Sequence, residues 1–134
     1  MKNRRSILII EDNDSFRRLM DYFLSKRYRV IAKKNGIDAM HWLGKGHTPD
    51  LILLDLGLPT MPGLDFLNGL KTSGFFKNIP VIVISGSHRE NFTMEALDDV
   101  RHYFEKPFDP RKLQEKIDAI FSCEKTNETT DLRA

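Results

Sequence analysis

Leu51-Ile52-Leu53-Leu54-Asp55-Leu56-Gly57-Leu58-Pro59-Thr60-Met61-Pro62 decides the fold. Four apolar residues end on a carboxylate, and Gly57, Pro59 and Pro62 then turn the chain. A short unbroken apolar run bounded by turn residues reads as a strand buried on both faces. Two further runs have the same form. Ile7-Leu8-Ile9-Ile10 ends in Glu11-Asp12, and Val81-Ile82-Val83-Ile84 ends in Ser85. In a parallel α/β sheet, ligands gather just beyond the carboxyl ends of the strands. Three carboxylates and a hydroxyl are therefore expected around one crevice. Carboxylates at close quarters repel and raise one another's pKa values. A hard divalent cation with oxygen ligands stabilises such a cluster, and Mg²⁺ suits it.

Working outward, strand-like runs recur near residues 5–10, 28–33, 50–54, 80–84 and 100–104, with helix-like stretches between them. Phe16, Leu19, Met20, Phe23 and Leu24 recur at helical spacing after the first strand, with Asn13 or Asp14 as cap. That stripe reads as core, and the edge carrying Arg17 and Arg18 reads as a place for a kinase to dock. Asn35 caps a second helix through Leu43, ended by Gly44-Lys45-Gly46. A third helix covers residues 64–71. A fourth, with the poorest apolar pattern, runs from about 88 to 97. The fifth carries Leu113, Ile117, Ile120 and Phe121 on one stripe. Five βα units with short loops predict an α/β, doubly wound, flavodoxin-like (βα)₅ fold. Its five-stranded parallel sheet has the order 2-1-3-4-5, with the switch point between strands one and three. Glu11-Asp12 and Asp55 flank that point.

The bulk properties bound the rest. A chain of 134 residues is one domain by length. With 40% hydrophobic and 30% charged residues it has the composition of an ordinary soluble protein. A net charge of +2 is too small to imply nucleic acid or membrane. The four apolar residues after Arg5 are too few for a signal peptide or a membrane span. Cys123 is the only cysteine, which forbids an internal disulfide and suits the cytosol. Residues 1–123 are expected to form the domain and 124–134 a polar tail, frayed or a linker stub. So short a tail is no DNA-binding module; the chain is either free-standing or part of a longer protein. Trp42 is expected to be partly buried. His41, His47, His88 and His102 lack zinc spacing and read as surface residues.

The chemistry of the crevice follows from residue type. Asp55 is a carboxylate nucleophile toward phosphorus, giving an aspartyl phosphate. Glu11 and Asp12 hold the cation, and the carbonyl of Gly57 adds a neutral ligand. Lys106, before Pro107 at the end of strand five, reaches across as a point charge. Ser85 offers its hydroxyl to a phosphoryl oxygen, and Gly86 leaves room for an incoming group. Singly, each feature has an ordinary explanation as a cap or turn residue. Their placement after strands one, three, four and five in order is what carries the reading.

The segments ILIIEDND, PDLILLDLGLPTMPGLDFL, IPVIVISGS and YFEKPFDP resemble the receiver domain of two-component response regulators, over residues 5 to about 122. The resemblance implies Mg²⁺ and phosphoryl transfer from a phosphohistidine of a sensor histidine kinase or a histidine phosphotransfer protein. It implies Asp55 as phosphoacceptor, Glu11 and Asp12 as acidic pair, and Lys106 as the charged lysine. It also implies Ser85 as switch hydroxyl and Tyr103 as switch aromatic. The output face is then built by the fourth helix, fifth strand and fifth helix. The chain is thus expected to be a cytoplasmic signalling domain rather than an enzyme on external substrates. It is expected to assist its own phosphorylation and dephosphorylation, to act as a monomer or weak dimer, and to bind no nucleic acid or membrane directly. Pro62 stands where the family often has Asp. Residues 98–103 depart from the frequent Gly-Ala-Asp-Asp-Tyr pattern and lack acidic residues that many members use for pairing.

Three other functions fit less well. A degenerate receiver would lack Asp55, the acidic pair or Lys106. A flavodoxin-like cofactor binder needs a Ser/Thr/Gly-rich phosphate loop after strand one, whereas Glu11-Asp12-Asn13-Asp14 repels phosphate. A phosphatase for external substrates wants a general acid near its nucleophile, and Gly57 offers none.

Overall fold

The structure, a computed structural model, describes residues 4–58, 63–86 and 100–133. The described elements are β1 (Ser6–Ile10), α1 (Asp14–Ser25), β2 (Arg29–Lys33), α2 (Gly36–Gly44), β3 (Leu51–Asp55), α3 (Gly63–Thr72), β4 (Val81–Ser85), β5 (His102–Glu105) and α4 (Pro110–Arg133). The helix expected near residues 88–97 lies outside the described residues, so α4 is the fifth helix of the sequence reading.

All five strands pair in parallel in the order β2-β1-β3-β4-β5. The three continuous apolar runs occupy the centre. The apolar residues of β3 and β4, and residues 7–10 of β1, have no accessible surface. The edge strands β2 and β5 are only half covered. Alternation divides the core into two layers. Leu8, Ile10, Ile52, Leu54, Val81 and Val83 face α2 and α3, meeting Ala39, Leu43, Phe66, Leu67 and Leu70. Ile7, Ile9, Leu51, Leu53 and Ile82 face α1 and α4, meeting Met20, Leu24, Leu113, Ile117, Ile120 and Phe121. In a parallel sheet covered by helices on both faces, ligands gather beyond the carboxyl ends of the strands.

Local signals set the helix ends. Asn13 caps α1, its side-chain oxygen accepting from the Phe16 N–H at 2.8 Å. Asn35 caps α2 through the Asp38 N–H at 2.7 Å. Beyond α2, Gly46 takes φ +98°, a left-handed conformation that suits glycine. Gly63 opens α3 for another reason. A Cβ there would sit 2.4 Å from the Leu56 Cα and 2.8 Å from the Asp55 carbonyl oxygen. Gly63 is therefore held tight against the backbone of Leu56 and Asp55, and its N–H bonds the Leu56 carbonyl at 3.2 Å.

Two expectations need correction. Leu19 is not core: it is 53% exposed, one step around α1 from the buried Met20. His102 is half buried rather than at the surface, because it lies on β5 beside Ile82. The backbone of α4 continues through the expected tail to Arg133. Residues 111–133 contain neither Gly nor Pro, so nothing in the sequence stops the helix. Trp42 is half buried as expected and stacks on His47, with ring centroids 4.7 Å apart and planes 10° from parallel. No helix among the described residues is long and apolar enough to cross a membrane.

Candidate functional site

The sheet register brings the polar strand ends level. Ile10 lies opposite Leu54, Asp55 opposite Ile84, and Ser85 opposite Glu105. Glu11, Asp55 and Ser85 are the buried polar residues among those described, and all three sit at this edge. Buried polar groups of this kind are stable only when paired or hydrogen-bonded. Lys106, immediately after β5, is tied to β4 by its N–H, which donates to the Ser85 carbonyl at 2.9 Å.

Its side chain crosses the edge of the sheet. The Lys106 ammonium donates to Glu11 Oε1 at 2.5 Å and to Asp55 Oδ2 at 3.5 Å. Each carboxylate receives a second donor from its own loop. The Asn13 N–H reaches Glu11 Oε2 at 3.0 Å, and the Gly57 N–H reaches Asp55 Oδ1 at 2.9 Å. The exposed Asp12 completes the group. One oxygen each of Glu11, Asp12 and Asp55 lie within 4.8 Å of one another. The donor set is three carboxylates around an open side, which fits a hard cation such as Mg²⁺ and does not fit a soft metal.

Electrostatics at this edge are strained in both signs. Burial pushes the Glu11 carboxyl up to about 7. Hydrogen bonds from Lys106 and the Asn13 N–H oppose that shift, and the neighbouring Asp55 adds to it. Burial also works against the Lys106 ammonium, but the Glu11 hydrogen bond and the Asp55 charge outweigh it, and the lysine is raised above its usual value. The lysine therefore stays charged, while Glu11 titrates close to neutrality.

The placement matches the sequence reading for Glu11, Asp12, Asp55 and Lys106, which converge. Gly57 also stands at the site, by an observed N–H contact with Asp55. Ser85 ends the neighbouring strand, fully buried. Tyr103 is half buried on β5 opposite Val83 and packs against the core layer under α2 and α3. The fourth helix of the expected output face, with His88, lies outside the described residues.

Two residues, Phe16 and Arg17, make contacts that were not foreseen. Lys106 Nζ sits 4.5 Å from the centroid of the Phe16 ring, a cation–π arrangement. Phe16 in turn meets Phe108 edge to face, at 5.8 Å and 77°. Arg17, expected at a docking edge, turns instead into the loop between β1 and α1. It donates to the carbonyls of Glu11 at 3.0 Å and Asp12 at 3.4 Å, and pairs with Asp14 at 2.6 Å. The Asp14–Arg17 spacing of i,i+3 was the one legible sign of it. Beside Lys106 an open cavity of about 410 Å³ is lined by Asn13, Ser15, Phe16 and Leu19.

Comparison with known proteins agrees with this fold. The model of the response regulator receiver domain family matches residues 7–118. Over 127 residues the chain is 33% identical to the transcriptional regulatory protein KdpE of Staphylococcus aureus, covering 94% of this chain and 54% of KdpE. It is 29% identical over 117 residues to the chemotaxis protein CheY1 of Helicobacter pylori, covering 85% and 94% of the two chains. It spans only 8% of a hybrid signal transduction histidine kinase of Dictyostelium discoideum that it also resembles. Among solved structures, the Mn²⁺-bound response regulator Rcp1 superposes with a TM-score of 0.72 at 30% identity, covering 88% of this chain and 92% of Rcp1. The chain belongs to the response regulator receiver domain family, the phospho-acceptor modules of two-component signalling.

Proposed function

We propose that Asp55 is the phosphoacceptor and that Glu11, Asp12, Asp55 and the Gly57 carbonyl hold Mg²⁺ beside it. One observation carries this reading: Asp55 is buried at a strand end, 3.5 Å from the Lys106 ammonium and clustered with two further carboxylates. A carboxylate oxygen of Asp55 attacks phosphorus and forms the new O–P bond. The P–N bond of a phosphohistidine, or the P–O bond of acetyl phosphate, breaks, and imidazole or acetate leaves. When bound, Mg²⁺ supplies positive charge against the phosphoryl oxygens. Lys106 supplies a second positive charge, and Ser85 donates its hydroxyl to a phosphoryl oxygen. Rcp1, a relative at 30% identity, binds Mn²⁺, which supports a hard-cation site here.

The donor is a sensor histidine kinase or a histidine phosphotransfer protein, and the chain works in the cytoplasm as a monomer or weak dimer, binding no nucleic acid itself. Residues 1–123 form the receiver and 124–134 a polar tail or linker stub. The domain assists its own phosphorylation and dephosphorylation and acts on no external substrate. Phosphorylation is read out through Ser85 and Tyr103 on the face that includes β5 and α4. The test is intact-mass measurement after incubation with acetyl phosphate and Mg²⁺. Wild type gains one phosphoryl group and Asp55→Asn gains none. Equal labelling of both overturns the assignment.

A further inference from the structure

We infer that Arg17 is a positioning residue for the cation, holding the backbone of the acidic pair so that both carboxylates face one point. The inference rests on the reading of Glu11 and Asp12 as cation holders. The two acids lie in a short loop and their like charges push them apart. Asp12 is exposed, so packing does not restrain it. The Glu11 N–H is held by the Lys33 carbonyl at 3.0 Å, but one guanidinium reaches the carbonyls of both acids. Arg17 donates to the carbonyls of both acidic residues at 3.0 and 3.4 Å, and Asp14 fixes the fork from the other side at 2.6 Å. The Arg17 side chain is only 16% exposed, although it starts one turn inside a helix that faces solvent. A planar fork serves several acceptors in fixed directions, and an ammonium on a flexible stem does not. Removing a group that orients metal ligands typically costs about 10- to 100-fold in affinity.

Arg17 is also a positive charge near the cation site, and on field alone it would weaken Mg²⁺ binding. The two effects separate by experiment. Mg²⁺ affinity is measured calorimetrically at pH 8 for wild type, Arg17→Lys and Arg17→Gln, with melting in EDTA as the check on folding. The clamp predicts that both variants bind Mg²⁺ roughly tenfold more weakly. It also predicts that saturating Mg²⁺ restores wild-type phosphorylation by acetyl phosphate, the deficit appearing only at limiting Mg²⁺. Wild-type affinity in both variants overturns the inference, as does tighter binding in Arg17→Gln with Arg17→Lys unchanged, the signature of field alone. A wild type that binds no Mg²⁺ overturns both this inference and the cation site on which it rests.

Discussion

Lys106→Met gives a stability change that depends on pH in a calculable way. Methionine keeps an unbranched chain of similar length against the Phe16 ring but removes the charge that meets Glu11 at 2.5 Å and Asp55 at 3.5 Å. Glu11 has no accessible surface, and burial raises its pKa from 4.5 to about 7 with Lys106 present. Burial favours the protonated form. In metal-free wild type, this group's contribution to stability is therefore complete below about pH 4.5. It declines as pH rises to about 7, and the decline then stops because Glu11 ionises in the fold. Without Lys106 the folded pKa moves higher still, and the decline continues at about 1.4 kcal/mol per pH unit. At pH 6 Glu11 is mostly protonated in both proteins, so the mutation costs close to nothing through this group. At pH 8 the added cost is about 1 to 2 kcal/mol, one pH unit beyond the wild-type value. Urea unfolding in EDTA at pH 6 and pH 8 reads the difference as a shift in midpoint at constant slope. An equal loss at both pH values, or a larger loss at pH 6, would refute the argument that Lys106 holds the buried Glu11 charge.

Four further outcomes follow from the same geometry. Mg²⁺ should raise the melting temperature, by the equivalent of ~1.4 kcal/mol at ten times its dissociation constant. Because it requires ionised Glu11, its affinity should tighten as pH rises from 6 to 8; a pH-independent titration contradicts the shifted carboxylate. Gly63→Ala should destabilise by about 1 to 3 kcal/mol and slow phosphorylation, since the added methyl meets the backbone of Leu56 and Asp55; wild-type melting and labelling would contradict that close approach. Ser85→Ala should still accept phosphate at Asp55 but lose much of the amide shift change around Tyr103; an unaltered response there places the switch elsewhere.

The fold was legible because the central strands carry their burial in plain form. Residues 7–10, 51–54 and 81–84 are apolar at every position, so no register or face had to be guessed. The site was legible for the same reason: each run stops on a polar residue, and a parallel sheet sends all such stops to one edge. Helix faces were less readable. Spacing put Leu19 in the stripe of Met20 and Leu24, but periodicity gives the direction of a stripe and not its width. The continuation of α4 was hidden because residues after Cys123 have no apolar stripe, and helix persistence there depends only on the lack of a breaker. Arg17 and Phe16 were missed as site residues because their contacts depend on the path of a loop. A charge on an amphipathic helix reads as solvated until the loop beside it is seen to bend back under its fork.

The central claim is that Asp55 itself forms the phosphoryl bond, and reductive trapping tests it most directly. An acyl phosphate is reduced by borohydride to an alcohol, so an aspartyl phosphate becomes homoserine while free carboxylates are untouched. After acetyl phosphate and Mg²⁺, then borohydride, digestion and peptide sequencing by mass spectrometry, homoserine is predicted at position 55 and nowhere else. Reduction at Asp12 or Glu11 instead, or a borohydride-resistant phosphate on Ser85, would contradict it.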